Sequence, residues 1–171
     1  ARLIGEFNAS NLVAVYAVAL LLGEAPLNVL TALSDLEPPR GRFQLVRSTS
    51  GIIGIVDYAH TPDALKNVLE TVNAVCGETE QVITVIGCGG DRDRTKRPIM
   101  AQIATLNSSH VVLTSDNPRS EDPLQIMREI EAGCSGNYAL VADRAEAIAT
   151  AVAIAGAGDC GNQEDAGRAP R

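Results

Sequence analysis

The chain has 171 residues, 46% of them hydrophobic but only 3% aromatic and none of them Trp. That length allows one domain, or one domain and part of another, around a core of Val, Ile, Leu and Ala. A formal net charge of -7 argues against a module held to nucleic acid by backbone phosphates, and the longest apolar run, Leu12 to Leu22, is too short to span a membrane.

In chain order, Asn8-Ala9-Ser10-Asn11 offers capping residues for a helix from about Ser10 to Leu22, stopped by Gly23. This helix is apolar on almost every face and so needs burial all round. The residues after it supply too little cover, and its packing partners are expected upstream. Pro26 opens a second helix ending near Leu36. Glu37-Pro38-Pro39-Arg40-Gly41 then reads as a linker and domain boundary.

Two short strands, Phe43 to Arg47 and Ile52 to Asp57, flank Ser48-Thr49-Ser50-Gly51 and form an antiparallel hairpin. Thr61-Pro62-Asp63 starts a helix with a Thr cap, Pro at the first position and an acid in the first turn. Leu65, Val68, Leu69 and Val72 give it one buried stripe. Strand Val82 to Ile86, helix Pro98 to Leu106, strand His110 to Thr114, helix Pro123 to Ala132, strand Tyr138 to Val141 and helix Arg144 to Ala155 follow. Such alternation with short connections means parallel pairing and right-handed crossovers. The fold class is α/β, a Rossmann-like domain with a mostly parallel sheet from about Gly41 onward. Residues 156–171, rich in Gly, Asp and Arg, are expected to lack fixed structure.

The four cysteines, Cys76, Cys88, Cys134 and Cys160, form no Cys-x-x-Cys pair and read as reduced thiols of a cytoplasmic protein. Cys88 lies in a glycine turn and is a candidate nucleophile, though no His is near it in sequence. His60 and His110 have no metal-ligand spacing, so no metal site is predicted.

Three polar clusters follow predicted strands. The first is Asp57-Tyr58-Ala59-His60, where Asp57 accepts from ribose hydroxyls, holds a metal-bound water or caps the next helix, and His60 can contact a phosphate or base. The second is Gly87-Cys88-Gly89-Gly90-Asp91-Arg92-Asp93-Arg94-Thr95-Lys96-Arg97, with four cations and two carboxylates between Asp91 and Arg97. Its glycines let the backbone bend sharply, and Arg92 either forks onto a carboxylate or belongs to a solvated basic loop. Lys96 and Arg97 are expected to begin the following helix and face water. The third is Asp116-Asn117-Pro118-Arg119, which suits a zwitterion, with carboxylate to Arg119 and ammonium to Asp116, or else is a solvated Asn-Pro turn. If the strands are parallel, these turns open on one carboxyl edge, where α/β sheets bind ligands. No Gly-x-x-x-x-Gly-Lys-Ser/Thr loop is present.

Taken together, Gly5-Glu6-Phe7-Asn8-Ala9-Ser10-Asn11, Gly41-Arg42-Phe43, Val56 to Ala64, Gly87 to Pro98 and Asp116 to Arg119 resemble the Mur ligases, and within them the branch adding a third residue to the cell-wall peptide. The resemblance runs from about Gly5 to Ala155. It implies three domains: one for a UDP-sugar, a central ATPase, and a C-terminal domain for the incoming amino acid. Residues 1–39 then correspond to the end of the central domain and 40–155 to the C-terminal domain. The reaction implied uses ATP and Mg2+ to form an acyl phosphate on UDP-N-acetylmuramoyl-L-Ala-D-Glu, which the amine of the amino acid attacks.

By the same resemblance Asn8, Asn11, Arg42, Asp57 and His60 match positions near the nucleotide. Arg92, Asp116, Asn117 and Arg119 match the amino-acid pocket. The Asp-Asn-Pro-Arg form implies meso-diaminopimelate over L-lysine, because an Arg can pair with the second carboxylate. No residue is assigned a catalytic or metal-ligating role. The UDP-sugar site, the P-loop and the carbamylated-lysine region have no counterpart here. The family's closing Gly-Lys-Gly-His-Glu-Asp motif, whose Glu completes the pocket, has no clear match around Gly158 to Asp165. The isolated chain is expected to be inactive without its other domains. The alternative is a non-catalytic α/β module that binds a dicarboxylic amino acid or a nucleotide. A dinucleotide-binding dehydrogenase domain is disfavoured, since Gly87 to Arg92 lacks the last glycine of Gly-x-Gly-x-x-Gly.

Overall fold

Helices and strands alternate along most of the computed structural model, which describes residues 6–37, 39–77 and 79–165, with side chains from residue 8 and up to 156. Two units are distinguished, Ala1–Arg47 with Ile53–Tyr58, and Ser48–Ile52 with Ala59–Arg171.

The first unit contains α1 (Glu6–Leu21), α2 (Pro26–Ser34), β1 (Gln44–Arg47) and β2 (Ile53–Val56). The first helix starts earlier than the capping residues suggest, so Asn8 and Asn11 lie inside it on one face, a turn apart, instead of ahead of it. Gly23, at φ 91°, ends it in the left-handed conformation that glycine adopts freely. Val13, Val15, Val18 and Leu21 are all more than half exposed, so the all-round apolar surface read from the sequence remains uncovered among the described residues. β1 and β2 pair antiparallel with Leu45 opposite Ile55, as the hairpin pattern predicts.

The second unit contains α3 (Pro62–Asn73), β3 (Ile83–Ile86), α4 (Lys96–Asn107), β4 (His110–Leu113), α5 (Pro123–Glu131), β5 (Tyr138–Leu140) and α6 (Arg144–Asp165). The strands lie in the order β3-β4-β5, with both pairings parallel. Thr61 caps α3 through its hydroxyl, which accepts from the Ala64 N–H at 3.3 Å, and Asp122 caps α5 from the Leu124 N–H at 3.1 Å. Each cap is followed by Pro at the first helical position, where its missing N–H leaves no bond unmade.

The core joins Leu65 and Leu69 of α3, Met100, Ala101 and Ala104 of α4, and Ile126 and Ile130 of α5 to Ile86, Val111 and Leu113 of the sheet. Side chains alternate along a strand. Val112 therefore points to the opposite face, where it too is fully buried, and α6 packs against β3 and β4. The last helix continues to Asp165 instead of ending at Ala155. Its Ala-rich run propagates helix, and isolated glycines cost only about 1 kcal/mol each. Residues 166–171 and the side chain of Glu164 lie outside the described residues.

Candidate functional site

Both turns singled out in the second unit leave the carboxyl edge of adjacent strands, because β3 and β4 are parallel neighbours. The turn after β3 and the turn after β4 are in direct contact. The Gly90 N–H donates to the Asn117 carbonyl at 2.9 Å, and the Arg119 guanidinium donates back to the Gly90 carbonyl through Nη1. A side chain at Gly90 would overlap the Pro118 carbonyl oxygen, so only glycine permits this approach. Asp91 accepts from the Ser120 Oγ at 2.6 Å and the Ser120 N–H at 3.2 Å. These bonds, led by the hydroxyl, hold its carboxyl below the usual carboxylate range.

Arg119 and Asp91 both adopt positive φ, 50° and 51°. The Asn117 side chain accepts from the Arg119 N–H at 3.3 Å, so its carbonyl and its amide group both belong to the turn. Asp116 is half exposed and meets Arg144 at 3.4 Å. Arg92 stays at the rim, exposed, with its Nη1 on the Asp91 carbonyl at 3.1 Å. The four residues read as an amino-acid pocket thus belong to two touching turns.

The same region corrects the expectation that Lys96 and Arg97 face water. Lys96 is half-buried and its Nζ donates to the His60 carbonyl at 2.8 Å. Arg97 is fully buried. Its Nη2 and Nη1 donate to the two Glu121 oxygens at 2.8 and 2.9 Å, Nη1 also to Glu129 at 2.6 Å, and Nη2 to the Gly89 carbonyl at 3.3 Å. Hydrogen bonding to Glu121 pushes the guanidinium further towards its charged form, against its desolvation. Glu129, bonded by Arg94, Gln125 and Arg97, is pulled down to about 2. Glu121 is lowered as well, mainly by Arg97 and then by the Asp91 N–H.

A signal for Arg97 was present in the sequence. With Met100, Ala101 and Ala104 it occupies positions i, i+3, i+4 and i+7 of α4, the face that is buried. Its charge is what sets it apart from the apolar residues of that period.

Cys88 is buried in the core with its Sγ 4.0 Å from the Met100 sulfur. Burial raises its pKa, which leaves a packing thiol in place of the candidate nucleophile. A shallow groove of about 600 Å³, lined by Glu70, Asn73, Leu106 and Ser109 among others, precedes β4 and so lies at the opposite edge of the sheet from the two turns.

Asn8, Asn11, Arg42 and Asp57 belong to the first unit and His60 to the second. Asp57 does not cap the following helix, since Thr61 does. Its Oδ2 accepts from the Phe43 N–H at 2.7 Å, a bond that holds Phe43 at φ 47°. Beside it the Arg42 guanidinium lies over the Tyr58 ring, 5.1 Å from its centre. Among the described residues no group of three His, Cys, Asp or Glu side chains converges as a metal site, and no helix is long and apolar enough to cross a membrane.

Residues 41–161 match the family described as Mur ligase, glutamate ligase domain. The UDP-N-acetylmuramoyl-L-alanyl-D-glutamate–2,6-diaminopimelate ligase of Cytophaga hutchinsonii is 55% identical over 162 residues, covering 92% of this chain and 33% of that protein. A solved structure of a ligase of the same name is 42% identical, with a TM-score of 0.60 over 85% of this chain and 30% of that one. Folylpolyglutamate synthase from Mycobacterium tuberculosis, solved with ADP and AMPPCP, shares the fold at 21% identity with a TM-score of 0.71, over 89% of this chain and 34% of that one. The chain spans about a third of the length of the curated relatives it matches.

Proposed function

The chain belongs to the Mur ligase family, and from that premise we propose that it is part of an ATP-dependent ligase adding meso-diaminopimelate to UDP-N-acetylmuramoyl-L-Ala-D-Glu. Residues 1–39 are the end of the central ATPase domain in this reading, and 40–155 most of the amino-acid-binding domain. The whole enzyme works in the cytoplasm on small molecules, with its N-terminal domain and the rest of its central domain supplying the UDP-sugar and phosphate sites.

The observation that carries this reading is the contact between the two turns. The Gly90 N–H on the Asn117 carbonyl and the Arg119 guanidinium on the Gly90 carbonyl bring Arg92, Asp116, Asn117 and Arg119 to one edge of the sheet. One guanidinium donor of Arg119 is used on Gly90; the remaining donors are available for a carboxylate, which pairs with Arg in a planar, bidentate fashion. Asp116, whose carboxylate meets Arg144 in a solvent-exposed contact, accepts from the ligand ammonium at little cost. Arg92 supplies a second cation for a ligand with two carboxylates. The chain's share of the reaction is therefore to bind the amino acid and aim its amine.

For ATP, the flank of the hairpin fits an adenosine end. Asp57 uses Oδ2 on Phe43 and leaves Oδ1 for a ribose hydroxyl, beside the stacked Arg42 and Tyr58. Asn8 and Asn11 of the same unit, and separately His60 of the second unit, are assigned to the nucleotide by the family resemblance alone. Bound ATP supplies the activating phosphoryl group. Magnesium, which the family implies, would be held mainly by the ATP phosphates and by the rest of the enzyme, since no group of three His, Cys, Asp or Glu side chains converges among the described residues.

Calorimetric titration of the chain tests the reading. Meso-diaminopimelate is expected to bind more tightly than L-lysine. Equal affinity for the two would contradict the specificity assigned to Arg119.

A further inference from the structure

We propose that Arg97 is a positioning residue for the amino-acid pocket: by holding the glycine turn to Glu121 and α5, it sets where Arg119 presents its guanidinium. The inference rests on the reading of the two turns as that pocket. Arg97 itself lies beneath the turns and is fully buried, away from any surface a ligand could reach.

The connections run both ways from its guanidinium. Towards the helices, Nη1 bonds Glu129 at 2.6 Å, and Glu129 is held in turn by Arg94 and by Gln125 at 3.1 Å. Towards the turns, Nη2 reaches the Gly89 carbonyl at 3.3 Å, one residue before the Gly90 carbonyl that receives Arg119. Glu121, gripped by both Nη atoms, uses its Oε1 to accept the Asp91 N–H at 2.6 Å. Asp91 then fixes the N–H and hydroxyl of Ser120, the neighbour of Arg119.

Stability alone does not account for this arrangement. A buried ion pair is commonly matched or exceeded by apolar residues of the same volume, and here the Arg97 Nε is buried with no hydrogen-bond partner among the described residues. What the guanidinium provides is direction, four bonds in one plane to three separate segments. The two residues it constrains through Gly89 and Glu121 are Asp91 and Arg119, both non-glycine at positive φ. Such conformations persist only where the surroundings over-determine them.

The experiment combines amide hydrogen exchange with calorimetric titration of meso-diaminopimelate, on the full chain and on Arg97→Lys. Lysine keeps the charge and loses the fork. Exchange at Gly90 and Asp91, referred to β4 residues Val111 to Leu113, is expected to speed up roughly tenfold, the loss of one charge-assisted hydrogen bond. Affinity is expected to fall by roughly the same factor. Should Arg97→Lys not fold, Glu121→Gln carries both readouts in the same direction. Unchanged relative protection at Gly90 and Asp91 overturns the proposal, and so does lost protection with unchanged affinity. A wild-type chain that binds no meso-diaminopimelate overturns the pocket reading itself; a wild-type chain that binds, with variants that match it, overturns only the role of Arg97.

Discussion

The Arg97 guanidinium and the Glu121 carboxylate lie fork to fork, with Nη2 to Oε1 at 2.8 Å and Nη1 to Oε2 at 2.9 Å. One partner is the start of α4 and the other lies in the turn before α5. This pair, extended to Glu129, ties the helical layer to the two turns at the carboxyl edge.

Arg97→Met removes the cation and leaves Glu121 and Glu129 facing an apolar side chain. Stability is expected to drop by roughly 3 kcal/mol, the low end for a broken buried pair because water still reaches both carboxylates. Urea unfolding followed by circular dichroism measures it. A Met variant as stable as the parent would mean the network contributes nothing to the fold.

The network also sets the response to acid. Glu129 titrates at about 2 in the folded chain, against an ordinary value of 4.5, and Glu121 and Asp91 are lowered too. Between those values the unfolded chain binds more protons than the folded one, so stability rises with pH. The contribution is complete above about pH 5 and is lost as pH falls towards 2. Thermal unfolding across that range is expected to show a steep acid decline, made shallower by Glu129→Gln. Identical acid profiles for the two proteins would contradict the assignment.

The alternating elements, the Pro-led helix starts and the parallel sheet were legible because each rests on local pattern. Thr61 and Asp122 announce their helices within a few residues. The role of Arg97 was not legible as a contact, since Glu121 and Glu129 lie 24 and 32 residues away. The carboxylate of Asp57 likewise reaches back 14 residues to Phe43, a role that neither the ribose nor the helix-cap reading contained. The turn pair was half legible: topology put both turns at one edge, but the approach of Gly90 to Pro118 is a property of the folded chain alone. The extension of α6 was hidden by glycines that a continuing helix tolerates.

That approach gives a further prediction. Gly90→Ala places a methyl group against the Pro118 carbonyl, and backbone cannot yield as a side-chain tip does. The two turns must separate, at a cost of roughly 1–3 kcal/mol, and meso-diaminopimelate binding is expected to weaken at least tenfold, about 1.4 kcal/mol or more. Gly156→Ala, with no atom of the described residues within 4 Å of its added methyl, is the control and leaves binding unchanged. Equal affinity in Gly90→Ala would show that turn contact is not needed for recognition.

The central claim is that the paired turns after β3 and β4 hold the amino acid. The most direct measurement is an NMR titration of the chain with meso-diaminopimelate, following every backbone amide. Shifts concentrated at Gly89 to Arg92 and Asp116 to Ser120 are the predicted result. Shifts centred on the groove around Asn73 and Ser109, or none at all, would contradict it.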